Sequence, residues 1–534
     1  DMKHGNRLLR QDRNGNEIKF TDVTLAAGII NNPLNFGLSA TISDLNNDGW
    51  PDIYTTSDYT ETDCFYINNK NGTFTEALRN SFTHVSKYSM GSDIADYNND
   101  GLPDVVTLDM LPEDNHRQKL LKGPDEYDQY HLLIDSGYYH QQMRNMLHLN
   151  MGTDKNGTVR FSEIGQFAGI SNTDWSWAGL FADLDNDGWK DLFVSNGYLR
   201  DFTDMDFLKY TVADAQVEEA KKGNFNFKTF DLVKKMPSNK LSCYVFRNNH
   251  DLKFEDVTKS WGFFDPAISN SAVYADLDND GDLDIIIGRN NEPVVLYRNE
   301  TNKKPNTHFL KIKLNGSGFN TAAIGSKVIV FTGNATQVLE KYPVRGYQSS
   351  VSTELLFGLG ANNKVDSLQI IWPNNEMSVY KNLAIDSTYT FKQVPGKKNQ
   401  VPVHEQLFAD ITNNSGIDFK HVENSFIDFK DEVLLPYQLS RDGPALAAAD
   451  VNGDGLTDFF VGGAIGQEGA LYIQDNNGQF NYSPQNAWKD DAVCEDVNAV
   501  FFDADKDGDK DLYVVSGGNE YEVGSPEYQD RLYI

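Results

Sequence analysis

The sequence predicts an all-β chain: a β-propeller with helical insertions, then a small β-domain, then the beginning of a second propeller. Three observations predict it. One acidic ten-residue phrase recurs six times, each time ahead of a short β-branched or aromatic run. A second phrase, close to LY-x-N, follows it at the spacing of a four-stranded unit, and one stretch of about ninety residues lacks both phrases and alternates like a separate sheet.

The acidic phrase is justified first. In "SDLNNDGWPD", residues 43–52, Asp44, Asn46, Asp48 and Asp52 fall at positions 1, 3, 5 and 9 of a loop whose position 6 is Gly49. Alternate residues turn oxygens inward, Gly49 supplies the positive φ that tightens the turn, and the backbone carbonyl of Trp50 at position 7 adds a further hard oxygen. That is the coordination Ca²⁺ prefers. The same positions recur in Asp96, Asn98, Asp100, Leu102 and Asp104; in Asp183, Asp185, Asp187, Trp189 and Asp191; and in Asp276, Asp278, Asp280, Asp282 and Asp284. They recur again in Asp450, Asn452, Asp454, Leu456 and Asp458, and in Asp503, Asp505, Asp507, Asp509 and Asp511. One copy alone reads equally well as an Asx-rich turn. Six copies with glycine at one position predict about six Ca²⁺ sites, one per loop.

These loops are not EF-hands, which place a bidentate Glu at position 12 between two helices. Position 12 is Thr55, Thr107, Val194, Ile287, Val461 or Val514, and the flanking runs ("LSATIS" before, "DIYTT", "DLFVS" and "DIIIG" after) have strand composition. Each loop is therefore the turn of a hairpin.

The second phrase ("CFYINNKNGTFTEA", "CYVFRNNHDLKFEDVT", "LYIQDNNGQFNY") adds two more strands. The first Asp recurs after 52 residues, from 44 to 96, and after 53, from 450 to 503. Four strands in about fifty residues is one propeller blade, although a sandwich of similar hairpins shares the strand count. The intervals of 87 and 93 residues that follow Asp96 and Asp183 each hold an insertion of about forty residues. The first insertion, 109–145, mixes helical stretches with Tyr127, Tyr130, His131, Tyr138, Tyr139 and His140; the second, 203–223, has a charged helix-forming pattern. Trp175 and Trp177, alternating into a strand, read as packing between blades or as a recognition surface.

Residues 305–394 lack the acidic loop and alternate "FLKIKL", "SKVIVFTG", "DSLQIIW" and "STYTFKQ" between Gly and Asn turns, as a small all-β domain. Residues 395–405 are a polar, proline-punctuated linker, and blade phrases resume over 406–534. Four loops precede the small domain and propellers close with about six to eight blades, so blades are expected upstream of residue 1, in a longer protein cut at both ends.

Composition narrows the function classes. Lys and Arg number 47 against 78 Asp and Glu, a net charge of −31, which argues against a nucleic-acid backbone or an anionic membrane as the main partner. About a quarter of the carboxylates sit at the loop positions, where six Ca²⁺ would offset about twelve charges. Cys64, Cys243 and Cys494 are too scattered for a disulfide framework or a zinc site, and no apolar stretch is long enough to span a bilayer.

The loops, "FVGGAIG" at 460–466, and "AAIGSKVIVFTG", "FGLG" and "VDSLQIIWPN" within 321–373 together resemble the FG-GAP or VCBS-repeat propellers with an ASPIC/UnbV domain, the cartilage acidic protein-like group whose blades are similar to those of integrin α-chains. "MGSDIADYNNDGLPDVVTLDMLPEDN" and "TDWSWAGLFADLDNDGWKDL" resemble large surface lipoproteins of Bacteroidota, commonly encoded beside starch-utilisation-type uptake systems. The resemblance implies calcium at the loop positions, no catalytic residue, and a place on the extracellular face of the outer membrane, or secretion. The lipid-bearing cysteine it implies near the start does not occur in this sequence. Asp366-Ser367-Leu368 and Asp386-Ser387-Thr388 are similar to a Bacteroidota O-glycosylation signal and equally to plain strand sequence.

The function expected is therefore a non-catalytic, calcium-stabilised cell-surface scaffold. It engages a protein or glycan partner in an outer-membrane assembly such as a transporter complex. The alternative is a glycan-capture component or a polysaccharide-lyase-like enzyme of an uptake system. The tyrosines and histidines of 109–145 would serve that chemistry, but the chain has no nucleophile motif and no HExxH.

Overall fold

The computed structural model describes all residues except 1–4, 16, 122–126, 156, 222–229, 231–232, 334, 400–407 and 433. Residues 122–126 and 222–223 of the expected insertions and 400–405 of the expected linker thus lie outside the described residues. The chain divides into two compact units, Asp1–Pro402 and Val403–Ile534.

The first unit holds four consecutive antiparallel sheets, here called blades one to four. Blade one is Phe36–Ser43, Asp52–Asp58, Cys64–Asn68 and Phe74–Glu76; blade two is Ser92–Ala95, Asp104–Thr107, Met146–Thr153 and Val159–Glu163. Blade three is Ser176–Ala182, Asp191–Asn196, Tyr244–Asn248 and Phe254–Asp256, and blade four has three strands, Ser269–Ala275, Asp284–Arg289 and Val295–Tyr297. Every acidic loop is the turn between the first two strands, and its ninth residue opens the second strand. Ser43 pairs with Asp52, Ala95 with Asp104, Ala182 with Asp191, and Ala275 with Asp284. The first strands of successive blades lie side by side, yet no sheet closes on itself among the described residues.

The blades meet through apolar faces, because strands that are buried on both sides carry β-branched and aromatic residues throughout. Between blades one and two, Phe82 stacks on Phe161 with ring centroids 4.3 Å apart, beside Tyr54, Phe65 and Ile94. Between blades two and three, Tyr97 stacks on Phe181 and Phe254. Each such ring contributes about 1.5–3 kcal/mol by leaving water. Cys64, Cys243 and Cys494 are buried free thiols.

The stretch after blade four forms two sheets around its own core of Leu310, Val328, Phe357, Ile370 and Trp372. One sheet holds His308–Asn315, Leu355–Gly360 and Ser387–Lys392; the other is built on Lys327–Thr332, Ala335–Glu340, Ser367–Ile371 and Glu376–Tyr380. Ser367 and Ser387, the serines of the two Asp-Ser dipeptides, are first residues of strands.

This β-domain is not a separate bead. Its short strand Val344–Arg345 lies against the first strands of blades one, two and three, and Ser349–Ser350 lies against that of blade four. Gly346 bridges to Ser92, and Arg345 donates to Asp93 Oδ1 at 2.8 Å and to the Ile94 carbonyl at 2.9 Å. Tyr347, Val351 and Leu356 complete the core between blades three and four. The segment 344–350 is thus a plug among the inner strands. Gly346 has φ +64°, and a Cβ there would lie 3.1 Å from Leu180, so both backbone and space favour glycine.

The insertions leave from the turns between second and third strands, so antiparallel pairing puts them at the opposite end of the sheets from the acidic loops. The first contains helices Asn115–Leu120 and Tyr127–Asp135; the second begins as a π-helical turn, Phe207–Val212, and continues as Ala213–Lys221. They touch each other. Leu121 bridges to Asp204, and the guanidinium of Arg117 pairs with Asp174 at 3.0 Å and also with Asp201.

The second unit repeats the blade pattern in Leu446–Ala449, Asp458–Val461, Ala470–Gln474 and Phe480–Ser483, and in Glu495–Phe502, Asp511–Gly517 and Arg531–Tyr533. Phe460, Trp488, Leu512 and Val514 form the core between these sheets.

Candidate metal centres

Each acidic loop is wound by its own carboxylates. Asp44 accepts from the Asp48 and Gly49 amides, both at 2.9 Å; Asp96 accepts likewise from Asp100 and Gly101, and Asp450 from Asp454 and Gly455. Positions 4 and 6 have positive φ in all six loops, for example Asn47 at 55° and Gly49 at 87°. Asparagine tolerates the left-handed region and glycine is free to enter it.

The ninth-position aspartates clamp the blade. Asp52, Asp104, Asp191 and Asp284 each accept the amide of their loop's second residue through Oδ2, and through Oδ1 the amide of Asn68, Asn150 or Asn248 on the third strand or of Asn299 just beyond it. A carboxylate has about four acceptor sites, so two remain for a cation.

Three loops bring carboxylates together tightly. One oxygen each from Asp183, Asp185 and Asp191 lies within 4.8 Å of the others, and the same holds for Asp276, Asp278 and Asp280 and for Asp503, Asp505 and Asp511. The remaining loops have asparagine at position 3, whose amide donates to position 5: Asn46 to Asp48 at 3.0 Å, Asn98 to Asp100 and Asn452 to Asp454 at 2.9 Å. Burial raises the carboxyl groups most, with like-charged neighbours adding to it. Asp44 and Asp96 are pushed up to about 6 and Asp52 to about 8, while Asp183 and Asp191 stand well above the usual carboxylate range.

The donor set fits Ca²⁺ best in blade three. Asp183 Oδ1 is a buried acceptor without a hydrogen-bond partner, and it belongs to a three-carboxylate cluster. An acceptor-only group in that state is satisfied by a cation. Asp183, Asp185, Asp187, Asp191 and the Trp189 carbonyl would hold the ion in blade three; Asp503, Asp505, Asp507, Asp511 and the Asp509 carbonyl would hold it in the second unit. The ion would supply positive charge among carboxylates that otherwise repel.

Several loops, that of blade three included, already have cationic neighbours. From the β-domain, Lys327 Nζ approaches Asp44 at 3.6 Å and Lys311 Nζ reaches Asp276 at 2.9 Å. In blade three, Arg247 pairs with the outer oxygen of Asp185 at 2.9 Å, and His250 lies 3.0 Å from Asp187 while stacking on Trp189. Asp282 sits at the seventh position of blade four for its carbonyl, yet its side chain is itself buried, with Oδ2 accepting from the Asn302 amide at 2.9 Å.

Sequence reasoning missed the residues that join one loop to the next. Asn150 Nδ2 donates to Leu45 O of blade one and to Pro103 O of its own loop, both at 2.9 Å; Asn248 bridges Tyr97 O and Lys190 O, and Asn299 bridges Leu184 O and Leu283 O. The fourth-position asparagines form a second chain, from Asn47 to Gly101 O, Asn99 to Gly188 O and Asn186 to Gly281 O. The signal was present in the recurring N of LY-x-N. The four loops of the first unit are therefore one connected surface, fastened to the β-domain by Lys311 and Lys327.

The insertion aromatics make local contacts. Tyr130 Oη lies 2.7 Å from His140 Nδ1, Tyr139 donates to Phe82 O, and Tyr127 lies against His131 with centroids 4.2 Å apart. Tyr138 is half-buried. Trp175 is buried and stacks on Tyr198 at 3.8 Å; Trp177 packs between Tyr198 and Tyr347 and donates to Gly197 O. Both tryptophans pack.

Residues 44–107 and 450–514 match the FG-GAP-like repeat family, and residues 316–398 match the family described as ASPIC and UnbV. No curated protein matches the chain. Among solved structures, one described as the basis of specific recognition of non-reducing terminal N-acetylglucosamine by an Agrocybe aegerita lectin is 14% identical over 85% of this chain and 81% of that one, with a TM-score of 0.24. A similarity that slight bears on neither fold nor ligand.

Proposed function

From an all-β chain in which FG-GAP-like repeats flank an ASPIC and UnbV domain, we propose a non-catalytic binding scaffold stabilised by Ca²⁺ in its acidic loops. Its partner is a protein or glycan at the cell surface, in an outer-membrane assembly such as a transporter complex. One observation carries the partner surface. The two interlocked insertions leave Leu132, Tyr210 and Val217 exposed by 64%, 64% and 52%, at the end of the sheets opposite the acidic loops. Large apolar side chains left open to water are what an interaction site is built from. The loops and the plug hold the blades, and the insertions are left to recognise.

The experiment shortens both insertions to plain turns. The expected product is folded, still binds calcium, and no longer copurifies with its partner from membranes of its host. Retained copurification would move the binding surface elsewhere, and a folded protein that takes up no calcium even with full-length insertions would refute the stabilising role of the loops.

A further inference from the structure

The second unit holds a side-chain cluster that the acidic loops do not account for. His421 and Glu423 lie on an extended segment ahead of the unit's first strand, and Glu495 opens the strand Glu495–Phe502. One ligand atom from each lies within 4.8 Å of the other two. Glu495 is fully buried; its Oε2 accepts the Ile465 amide at 2.9 Å, and its Oε1 has no partner. Glu423 presents Oε1 to His421 Nε2 at 2.8 Å and keeps a buried Oε2 that is also unpartnered. Among the described residues neither carboxylate is paired with Lys or Arg.

The surroundings orient these groups. His421 Nδ1 faces the Gly462 carbonyl at 3.4 Å. A carbonyl only accepts, so Nδ1 carries a proton, and in the neutral ring Nε2 then holds the lone pair, the arrangement in which histidines bind metals. Nε2 then confronts a carboxylate oxygen, and two acceptors at that distance require a proton or a cation between them. A proton would satisfy Nε2 and Glu423 Oε1 but leave Glu495 Oε1 and Glu423 Oε2 stranded. A divalent cation engages all three residues. Gly443 makes room, since a Cβ there would lie 3.1 Å from His421 Cε1 and 3.2 Å from Glu495 Oε1. Gly462 and Ile465, which face the ring and cap Glu495, both belong to "FVGGAIG".

We propose that His421, Glu423 and Glu495 form a site for a divalent transition-metal ion, with Zn²⁺ the best-fitting candidate. One imidazole and two carboxylates suit a borderline ion rather than Ca²⁺, which takes oxygen alone, and three protein ligands leave a fourth position for water or a ligand. An open groove of about 510 Å³, lined by Asn424, Ile465, Glu520 and Tyr521, adjoins the cluster.

The test uses the full chain, stripped with chelator and returned to saturating Ca²⁺ so that the acidic loops do not compete. Equilibrium dialysis against Zn²⁺ should find one more tightly held ion per chain in the wild type than in His421→Ala, and at least tenfold weaker retention at this site in Glu495→Gln. Co²⁺ should give the wild type a visible absorption that His421→Ala lacks. Should those variants fail to fold, the wild type alone decides: Zn²⁺ must raise its melting temperature and Co²⁺ must colour it. Equal zinc in wild type and a folded His421→Ala, or a wild type that Zn²⁺ does not stabilise, would leave only a histidine–glutamate ion pair and overturn the proposal.

Discussion

Replacing Arg345 by Met tests whether the plug holds the blades. The guanidinium is buried against Asp93, which is itself fully buried, and it also donates to Ile94 O. Removing one partner of such a pair leaves an uncompensated charge and costs about 3–5 kcal/mol. Unfolding entropy near 60 °C is about 2.1 cal/mol/K per residue, or roughly 0.8 kcal/mol/K for the 402 residues of the first unit. The expected fall in melting temperature is therefore about 4–6 °C, read by calorimetry at neutral pH in saturating calcium. The deficit should also depend on pH. Burial already raises Asp93 against the pull of Arg345 and of the Phe181 and Ile94 amides, and losing Arg345 raises it further. A carboxyl whose folded pKa exceeds its unfolded value binds an extra proton in the fold, so stability falls as pH rises between the two. The variant should then approach the wild type as pH is lowered toward about 4. Asp93→Asn added to Arg345→Met should recover much of the loss. A single variant within about 1 kcal/mol of wild type, below the cost of an unpaired buried charge, or a double variant no better than the single, would refute the plug as a buried electrostatic fastening.

Three further outcomes are expected. Chelation should lower the melting temperature, and the chelated protein should lose stability as pH rises from about 4 through 8, because Asp44, Asp96 and Asp52, raised to about 6, 6 and 8, must ionise within the fold; saturating calcium should flatten that slope, and a flat profile in chelator would count against the loops. Asp183→Asn should change sign with the metal, stabilising the chelated protein by relieving a crowded buried charge and destabilising the calcium-loaded one; differential scanning under both conditions reads this, and one sign throughout would argue that blade three binds no ion. Asn248→Ala, which frees the buried carbonyls of Tyr97 and Lys190, should cost about 2–4 kcal/mol by chemical denaturation, against under about 0.5 for the exposed Asn80→Ala, and equal costs would dismiss the asparagine staples.

The hairpins were legible because chemistry and geometry coincide at the ninth loop position, where Asp52, Asp104 and Asp191 end a turn and begin a buried strand. The phrase LY-x-N marked the third strand for the same local reason. Its asparagine went unread, since a side chain that bonds to the carbonyl of the preceding blade has no partner within its own stretch of sequence. The plug was hidden more deeply. "KYPVRGYQSS" has neither strand alternation nor helical period, and Arg345 looks like a surface residue until Asp93 is placed beside it. The pattern of 203–223 reads as an ordinary charged helix, while its opening turn at Phe207 is π-helical, which composition does not encode. Lysines 311 and 327 lie on alternating strands whose period places them on one face without revealing what that face covers.

The Arg345–Asp93 contact also has a consequence for how the protein is made. Its partners are separated by 252 residues, so at about 5–20 residues per second a ribosome needs roughly 13–50 seconds after Asp93 before Arg345 exists at all. Throughout that interval the inner strands emerge in order, able to form their hairpins and asparagine staples but with a buried carboxylate still lacking its cation and an unfilled centre. The residues that bind the inner strands of the blades together arrive only after all four blades have been made, which makes the nascent chain dependent on remaining soluble with its hub open.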